Sequence, residues 1–176
     1  MALALLALVL FACGGNESKK SKMLSALTEM DSTLVDERGT ADPKLIPQAI
    51  DLYCSFAEQY PDDPTAPNWL FKAFQLAKAM GNLDQAAELG NKLIEDFPNY
   101  EYAPVVMFMM ARDVYDMGYH DLDKARAMYE RVIDQFPDSN WAANAKEMKD
   151  KYMGMTDEEI MNQIQFSQME VVEGEW

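Results

Sequence analysis

The sequence has very few of the residues that bind metals, with one histidine and two cysteines among 176 residues. A lone histidine excludes sites that need two, such as the paired histidines of zinc proteases. The eight glycines form no glycine-rich loop of the kind that holds phosphate groups. We therefore predict no metal site, no cofactor and no catalytic residue, and we expect that the protein is not an enzyme.

The nearest approach to a nucleophile pair is Cys54 with His120, 66 residues further along the chain. Cys54 belongs to an apolar helical stretch, which favours a small buried hydrophobic residue over a reactive thiol. His120 lies in a polar turn beside Asp121, which favours a role at a helix start over a catalytic one. Four methionines could form a site for a soft metal ion. We favour the interpretation that their side chains fill gaps between packed helices. They are Met107, Met109, Met110 and Met117.

Positive charge is also scarce, because 15 Lys and Arg residues face 30 Asp and Glu residues and the formal net charge is −15. Binding to nucleic acid or to an anionic membrane surface needs clustered Lys and Arg. The only such group is Lys19, Lys20 and Lys22. The composition therefore argues against nucleic acid as a partner.

Residues 2–11 form an uncharged apolar run, far shorter than the roughly 20 residues that a membrane-spanning helix needs. Such a run is typical of the apolar part of a signal peptide. It ends in Leu10-Phe11-Ala12-Cys13, which resembles the lipobox of bacterial lipoproteins. The alternative is an apolar N-terminus with a chance cysteine. No positively charged segment precedes the run, from which we expect a misplaced start codon or a truncated gene.

By this resemblance residues 1–12 are a signal peptide, and Cys13 is the acylated residue that attaches the protein to a membrane. Gly14 stands where sorting to the inner membrane uses aspartate, which implies the outer membrane. The rest of the chain is predicted to divide into three segments. They are the lipidated start and a flexible tether at 13–22, a helical domain at 23–168 and an acidic tail at 169–176.

An internal repeat organises the middle of the chain. Three alanines, 37 and 39 residues apart, are each followed twelve residues later by a proline with an aromatic residue before it. A period of this size indicates stacked supersecondary units. The three pairs are Ala49 with Pro61, Ala86 with Pro98 and Ala125 with Pro137.

Helix start and stop signals divide the chain from Lys44 to Gln168 into helices, so the predicted fold class is all-α. The segment from Val105 to Tyr115 is apolar nearly all round and should be buried. Gly90 lies in mid-helix, where close approach of another helix would offset its low helix propensity. The predicted N-terminal caps are Asp63, Asn82, Asp121 and Ser139, with a capping box at Thr156-Asp157-Glu158-Glu159.

Helix pairs joined at Gly81-Asn82, with small residues at Ala86 and Ala125 and prolines twelve residues later, resemble tetratricopeptide repeats. The resemblance covers residues 43–152. It implies antiparallel helix hairpins stacked into a short right-handed α-solenoid. With the lipobox added, the chain resembles the repeat lipoproteins of the Gram-negative outer membrane that face the periplasm, similar in layout to BamD-type and YbgF-type proteins. The resemblance implies a scaffold for outer-membrane protein assembly or envelope maintenance, with envelope proteins or peptides as partners.

In tetratricopeptide arrays the first helices of successive repeats line a groove that binds an extended or helical peptide, with aromatic residues as anchors. Alternatively, the two phenylalanines pack inside and the cations only keep the groove soluble. A second candidate function is a surface-exposed lipoprotein for nutrient or polymer uptake, and the sequence leaves the oligomeric state open. The predicted groove residues are Asn68, Phe71, Gln75, Lys78, Phe108, Arg112 and Tyr115.

Overall fold

A computed structural model describes the backbone of residues 6–35 and 39–173 and the side chains of residues 18–35 and 39–165. This part of the chain is helical and contains no strand, only a single antiparallel bridge between Val35 and Ala41. The all-α prediction is confirmed. The helices are α1 (Leu6–Leu34), α2 (Ile46–Gln59), α3 (Ala66–Ala79), α4 (Leu83–Asp96), α5 (Ala103–Met109), α6 (Leu122–Gln135), α7 (Asn140–Glu147) and α8 (Asp157–Glu173). Two π-helical segments, Met110–Asp116 and Met148–Tyr152, continue α5 and α7.

The chain divides into two compact units, Met1–Ala79 and Met80–Trp176. In the first unit α2 packs against both α1 and α3. Its core is formed by apolar side chains from all three helices. They include Leu27, Leu34, Ala49, Tyr53, Phe56, Leu70, Ala73 and Phe74.

A polar cluster joins the three helices of the first unit. Lys72 on α3 donates to both oxygens of Asp31 on α1, with nitrogen–oxygen distances of 2.6 and 2.7 Å. The Tyr53 hydroxyl on α2 donates to the same carboxylate at 3.2 Å. Lys72 Nζ also lies 4.8 Å from the centroid of the Trp69 ring, a cation–π contact. Asp31 is therefore the acceptor through which α1 is held to α2 and α3.

Helix α1 begins earlier than the helical domain predicted from residue 23. A flexible tether was expected at residues 13–22, but α1 is continuous from Leu6 to Leu34 and includes them. One contact supports helix here despite the two glycines of the segment: Lys20 Nζ lies 2.7 Å from the Asp63 carboxylate, which holds this part of α1 to the turn before α3. The side chains of the predicted signal peptide (residues 1–12), of Cys13 and of residues 169–176 lie outside the described part of the chain, as does the backbone of residues 1–5 and 174–176.

The turn before α3 corrects one predicted helix start. Asp63 was expected to cap a helix beginning at Pro64, whereas α3 begins at Ala66. The Asp63 carboxylate instead accepts from the Thr65 N–H at 2.7 Å, which closes a turn ahead of the helix. Burial alone would raise the pKa of the Asp63 carboxyl, but hydrogen bonds from Lys20 and Thr65 outweigh it and hold the pKa below the usual value.

The second unit starts its helices at the predicted caps. The side chains of Asn82, Asp121 and Ser139 each accept a hydrogen bond from a backbone N–H in the first turn, at 3.3, 3.1 and 3.1 Å. The capping box is also confirmed, because Thr156 and Glu159 bond each other's backbone N–H groups. These bonds satisfy donors that have no partner within a helix.

The small residues of the repeat occupy the close-packed positions expected of them. Ala86 and Ala125 are both completely buried. A Cβ atom added to Gly90 on α4 would lie 2.5 Å from Met110 Sδ, so the helix contact predicted at this glycine is confirmed. The segment from α5 into its π-helical continuation is the most buried part of the unit, as its apolar sequence predicts.

The longer repeat period has a local cause. Residues 117–121 connect the π-helical segment to α6, whereas the shorter turn at 80–82 precedes α4. Gly81 ends α3 with φ of 69°, the left-handed conformation predicted for it. In the longer turn a Cβ atom on Gly118 would lie 2.5 Å from the Val114 carbonyl oxygen, which leaves space only for glycine. The π-helical geometry itself was not predicted.

Candidate partner-binding site

Four of the seven predicted groove residues lie on α3 in the first unit. Asn68 and Gln75 are exposed, and Phe71 and Lys78 are half-buried. Their spacing of three or four residues places them along one side of the helix. The Phe71 ring stacks on Phe74 with a centroid distance of 6.3 Å. One side of α3 therefore presents two amides, part of an aromatic ring and a lysine.

The other three predicted residues belong to the second unit, and Phe108 is the first of them. Its ring lies 5.7 Å from the Tyr129 ring and 5.1 Å from the Trp141 ring, both measured between centroids. Phe108 is half-buried. It thus packs between α6 and α7, as in the alternative in which the phenylalanines pack inside.

Arg112 is buried in the π-helical segment. Its Nη1 donates to the Met155 carbonyl oxygen at 3.2 Å and lies 3.5 Å from Asp116 Oδ2. Its Nη2 donates to Asp157 Oδ1 at 2.6 Å. The guanidinium is therefore already paired within its own unit, and it is not the open groove cation that the sequence analysis expected.

Asp116 completes this charged group, which we call the Arg112 clasp, made of the buried Arg112 and Asp116 with Gly154, Met155 and the exposed Asp157. The Asp116 side chain is 2% exposed and accepts from the Gly154 N–H at 3.1 Å. Two charges removed from water need such additional hydrogen bonds to offset their desolvation. The clasp joins the π-helical segment to the turn that leads into α8.

Tyr115 is also buried. Its ring stacks on Tyr119 at 6.2 Å, and Lys124 Nζ lies 5.8 Å from its centroid. The Tyr119 hydroxyl donates to Asp84. This hydrogen bond is the main cause that raises the pKa of Tyr119 to about 12. Tyr115 therefore belongs to a cluster that packs the long turn against the start of α4.

Two of the three residues predicted on the second unit's side of the groove are thus buried and the third packs between rings, while two of the four on α3 are exposed. Met155 and Asp157 were missed as partners because they lie 43 and 45 residues beyond Arg112 in the sequence. Asp157 was assigned only to the capping box. Two signals were available: a charged residue within an otherwise apolar helix, since a buried charge needs a partner, and Asp116 four residues further on, at the spacing of a helical ion pair.

The structure also shows the surroundings of Cys54 and His120, the two residues considered as a nucleophile pair. Cys54 is half-buried and not fully buried as expected, and His120 is exposed with a positive φ of 54°. Over the described residues no group of three or more His, Cys, Asp or Glu side chains is placed to hold a metal ion. Among the helices that the structure describes, none combines the length and apolarity needed to cross a bilayer.

Comparison with protein families identifies a tetratricopeptide repeat at residues 106–139. The matched segment runs from within α5 through its π-helical continuation and α6 to the turn after Pro137, so it contains most of one helix pair. Comparison with curated proteins returns no match. Consecutive helices pack as neighbours within each unit, which agrees with this type of repeat. The match supports a tetratricopeptide-repeat protein, and such repeats serve as scaffolds for binding other proteins.

Proposed function

We propose that this protein is a lipid-anchored scaffold of the Gram-negative outer membrane that faces the periplasm and binds envelope proteins. The observation that carries the scaffold role is the tetratricopeptide repeat at residues 106–139, with Ala125 completely buried inside it. The support for the envelope location is the sequence Leu10-Phe11-Ala12-Cys13. The proposal contains no catalytic step and no cofactor.

The partner-binding surface that we propose is the exposed side of α3. Asn68 and Gln75 supply amide donors and acceptors, and Phe71 supplies an aromatic surface between them. Half-buried aromatic residues with a polar rim are typical of the anchors of peptide-binding surfaces. Lys78, one turn beyond Gln75, adds a positive charge that suits an acidic segment of the partner.

Phe108 and Arg112 are unsuitable for testing this surface, because Phe108 packs between α6 and α7 and Arg112 is buried and paired in the second unit. A photo-crosslinking amino acid at Gln75 tests it without disturbing a core, with the same substitution at exposed Asp51 on α2 as the matched control. We expect one dominant protein adduct from position 75 that is absent from position 51. Equal adducts at both positions, or none at 75, would contradict the surface.

The anchor is tested by metabolic labelling with an alkyne-bearing fatty acid. We expect label on the protein and its recovery in the outer-membrane fraction, and loss of both in Cys13→Ser. One acyl chain gives only marginal attachment, so stable recovery in membranes would indicate more than one chain. Unlabelled protein in the soluble periplasm would overturn the anchor while leaving the scaffold role untouched.

The side of the membrane separates this proposal from the uptake lipoprotein considered above. Protease added to intact cells should leave a periplasmic scaffold whole and degrade it only after the outer membrane is permeabilised. Degradation in intact cells would instead favour a surface-exposed lipoprotein.

A further inference from the structure

The start of the last helix, α8, is poorly buried over residues 157–165, where its side chains are described. The helix has 17 residues, and at about 1.5 Å per residue it is roughly 25 Å long. None of the side chains of residues 157–165 is buried, although they belong to a protein that is largely packed. Met161 is 55% exposed, which is the largest exposure among the large apolar side chains described. This described part of α8 therefore offers apolar surface to another protein.

The described apolar residues of α8 share one face. Ile160 and Ile164 are one turn apart and Met161 lies three residues before Ile164, whereas Asn162 points to the opposite side of the helix. Ile160 and Ile164 are only half-buried. In the sequence Val171 continues the same spacing. This is the pattern of anchors with which an amphipathic helix enters an apolar groove.

The start of α8 is held in place even though its body is not. Arg112 bonds Asp157 at 2.6 Å and the Met155 carbonyl at 3.2 Å, and the Thr156–Glu159 capping box closes the first turn. The clasp therefore fixes the direction in which α8 extends from the π-helical segment. Pre-orientation of this kind reduces the entropy lost on binding.

The charge of this end of the chain defines the chemistry of the partner. Six acidic residues and no Lys, Arg or His lie between residues 152 and 176. Binding to an acidic surface, including a second copy of a chain with net charge −15, would place like charges together. A groove with a rim of Lys and Arg would neutralise them.

We propose that α8 is a docking helix that inserts its Ile160, Met161 and Ile164 face into an apolar groove rimmed by Lys and Arg on a partner protein. This surface is separate from the proposed α3 surface. It therefore stands whether or not the repeat face binds a peptide and whether or not Cys13 is acylated.

The test places a photo-crosslinking amino acid at Met161 in the full-length protein, in cells of the native host, with exposed Asn162 as the control position on the same helix. Adducts are digested and the attached residues identified by mass spectrometry. We expect adducts from position 161 and not from 162, attached to apolar residues that have Lys or Arg nearby on the partner. The partner is then purified and its binding to the full-length protein measured.

In that binding measurement Ile160→Ser with Ile164→Ser should weaken the affinity by about tenfold or more, because the anchors of the helix are removed. Asn162→Ser on the opposite side of the helix is the control and should leave it unchanged. Glu158→Lys should also weaken binding, and added salt should reduce its effect. Helix content by circular dichroism should be equal in the double variant and the control, because none of the three side chains is buried.

Four results would overturn the proposal. Adducts to a second copy of this chain would make α8 a dimer contact, and adducts within the same chain would make it a helix that folds back on its own protein. Absence of adducts at 161, or an affinity that Ile160→Ser with Ile164→Ser leaves unchanged, would show that α8 does not dock.

Discussion

The hydroxyl of Tyr129 leads to the most direct test of the interior of the second unit. Tyr129 lies on α6 and is completely buried, yet its hydroxyl oxygen has no hydrogen-bond partner among the described residues. Its ring packs against Phe108 at 5.7 Å. On burial such a hydroxyl loses its hydrogen bonds to water and makes none within the protein, which costs free energy. Tyr129→Phe should therefore stabilise the protein.

The magnitude follows from the cost of an unsatisfied buried polar group, about 1–3 kcal/mol. Removing the oxygen also removes a few dispersion contacts of about 0.1–0.2 kcal/mol each, so the gain is partly offset. We expect the free energy of unfolding to rise by about 1 kcal/mol. The aromatic contact with Phe108 is kept because the ring is unchanged.

Tyr53→Phe in the first unit is the matched control with the opposite sign. Tyr53 is equally buried, but its hydroxyl donates to Asp31 at 3.2 Å. Loss of that bond should lower the free energy of unfolding by about 0.5–1.5 kcal/mol. Urea unfolding of the two variants and the unchanged protein, followed by circular dichroism, provides the comparison.

Tyr129→Phe should also change how the stability of the protein depends on pH in the alkaline range. Burial is the largest cause that raises the pKa of Tyr129, followed by the charge of Asp116. A phenol that titrates at about 10 when unfolded thus keeps its proton to a higher pH in the folded protein. Its contribution to stability is complete below about pH 10 and is lost as the pH rises towards the folded value. Tyr129→Phe should therefore lose less stability than the unchanged protein above about pH 10.

A Tyr129→Phe variant destabilised by about 1 kcal/mol or more would refute this reasoning, because it would mean that the hydroxyl makes a stabilising hydrogen bond in the folded protein. A variant of equal stability with an unchanged alkaline profile would refute the pKa argument separately.

Three further changes have clear expected outcomes. Arg112→Leu should cost about 3 kcal/mol in urea unfolding, because it leaves the buried Asp116 carboxylate without its cation, and adding Asp116→Leu should recover part of this loss. Gly118→Ala should destabilise by about 1–3 kcal/mol, since its Cβ would press on a backbone carbonyl oxygen, and a Tm equal to that of the unchanged protein would contradict the contact. In a spectrophotometric titration Asp84→Asn should bring the pKa of Tyr119 down from about 12, and an unshifted value would exclude the hydrogen bond as its main cause.

Local sequence signals account for most of the fold. A side-chain cap such as Asn82 or Ser139 acts on an N–H two or three residues away, so the sequence contains both partners. The same holds for Gly81, whose positive φ ends α3 at the predicted place. Periodicity placed Ala86 and Ala125 inside because burial of small residues repeats with the helix pairs.

The parts that the sequence did not predict depend on distant partners. Whether α1 includes residues 13–22 depends in part on a contact between Lys20 and Asp63, 43 residues away. The π-helical segment at Met110–Asp116 is likewise set by the packing around it, since its residues have no special helix signal. Such contacts override local preference, which amounts to only a fraction of a kcal/mol per residue.

The site illustrates the same limit with a charged residue. On a helical wheel Arg112 falls in line with Phe108 and Tyr115, and that alignment would describe either a groove or a core. The energetic cost of desolvation decides between them, because a guanidinium in an apolar interior must find a carboxylate. Asp116 and Asp157 provide it. A binding defect in Arg112 variants would therefore report a loosened second unit, and only exposed positions such as Gln75 on α3 or Met161 on α8 can report partner binding itself.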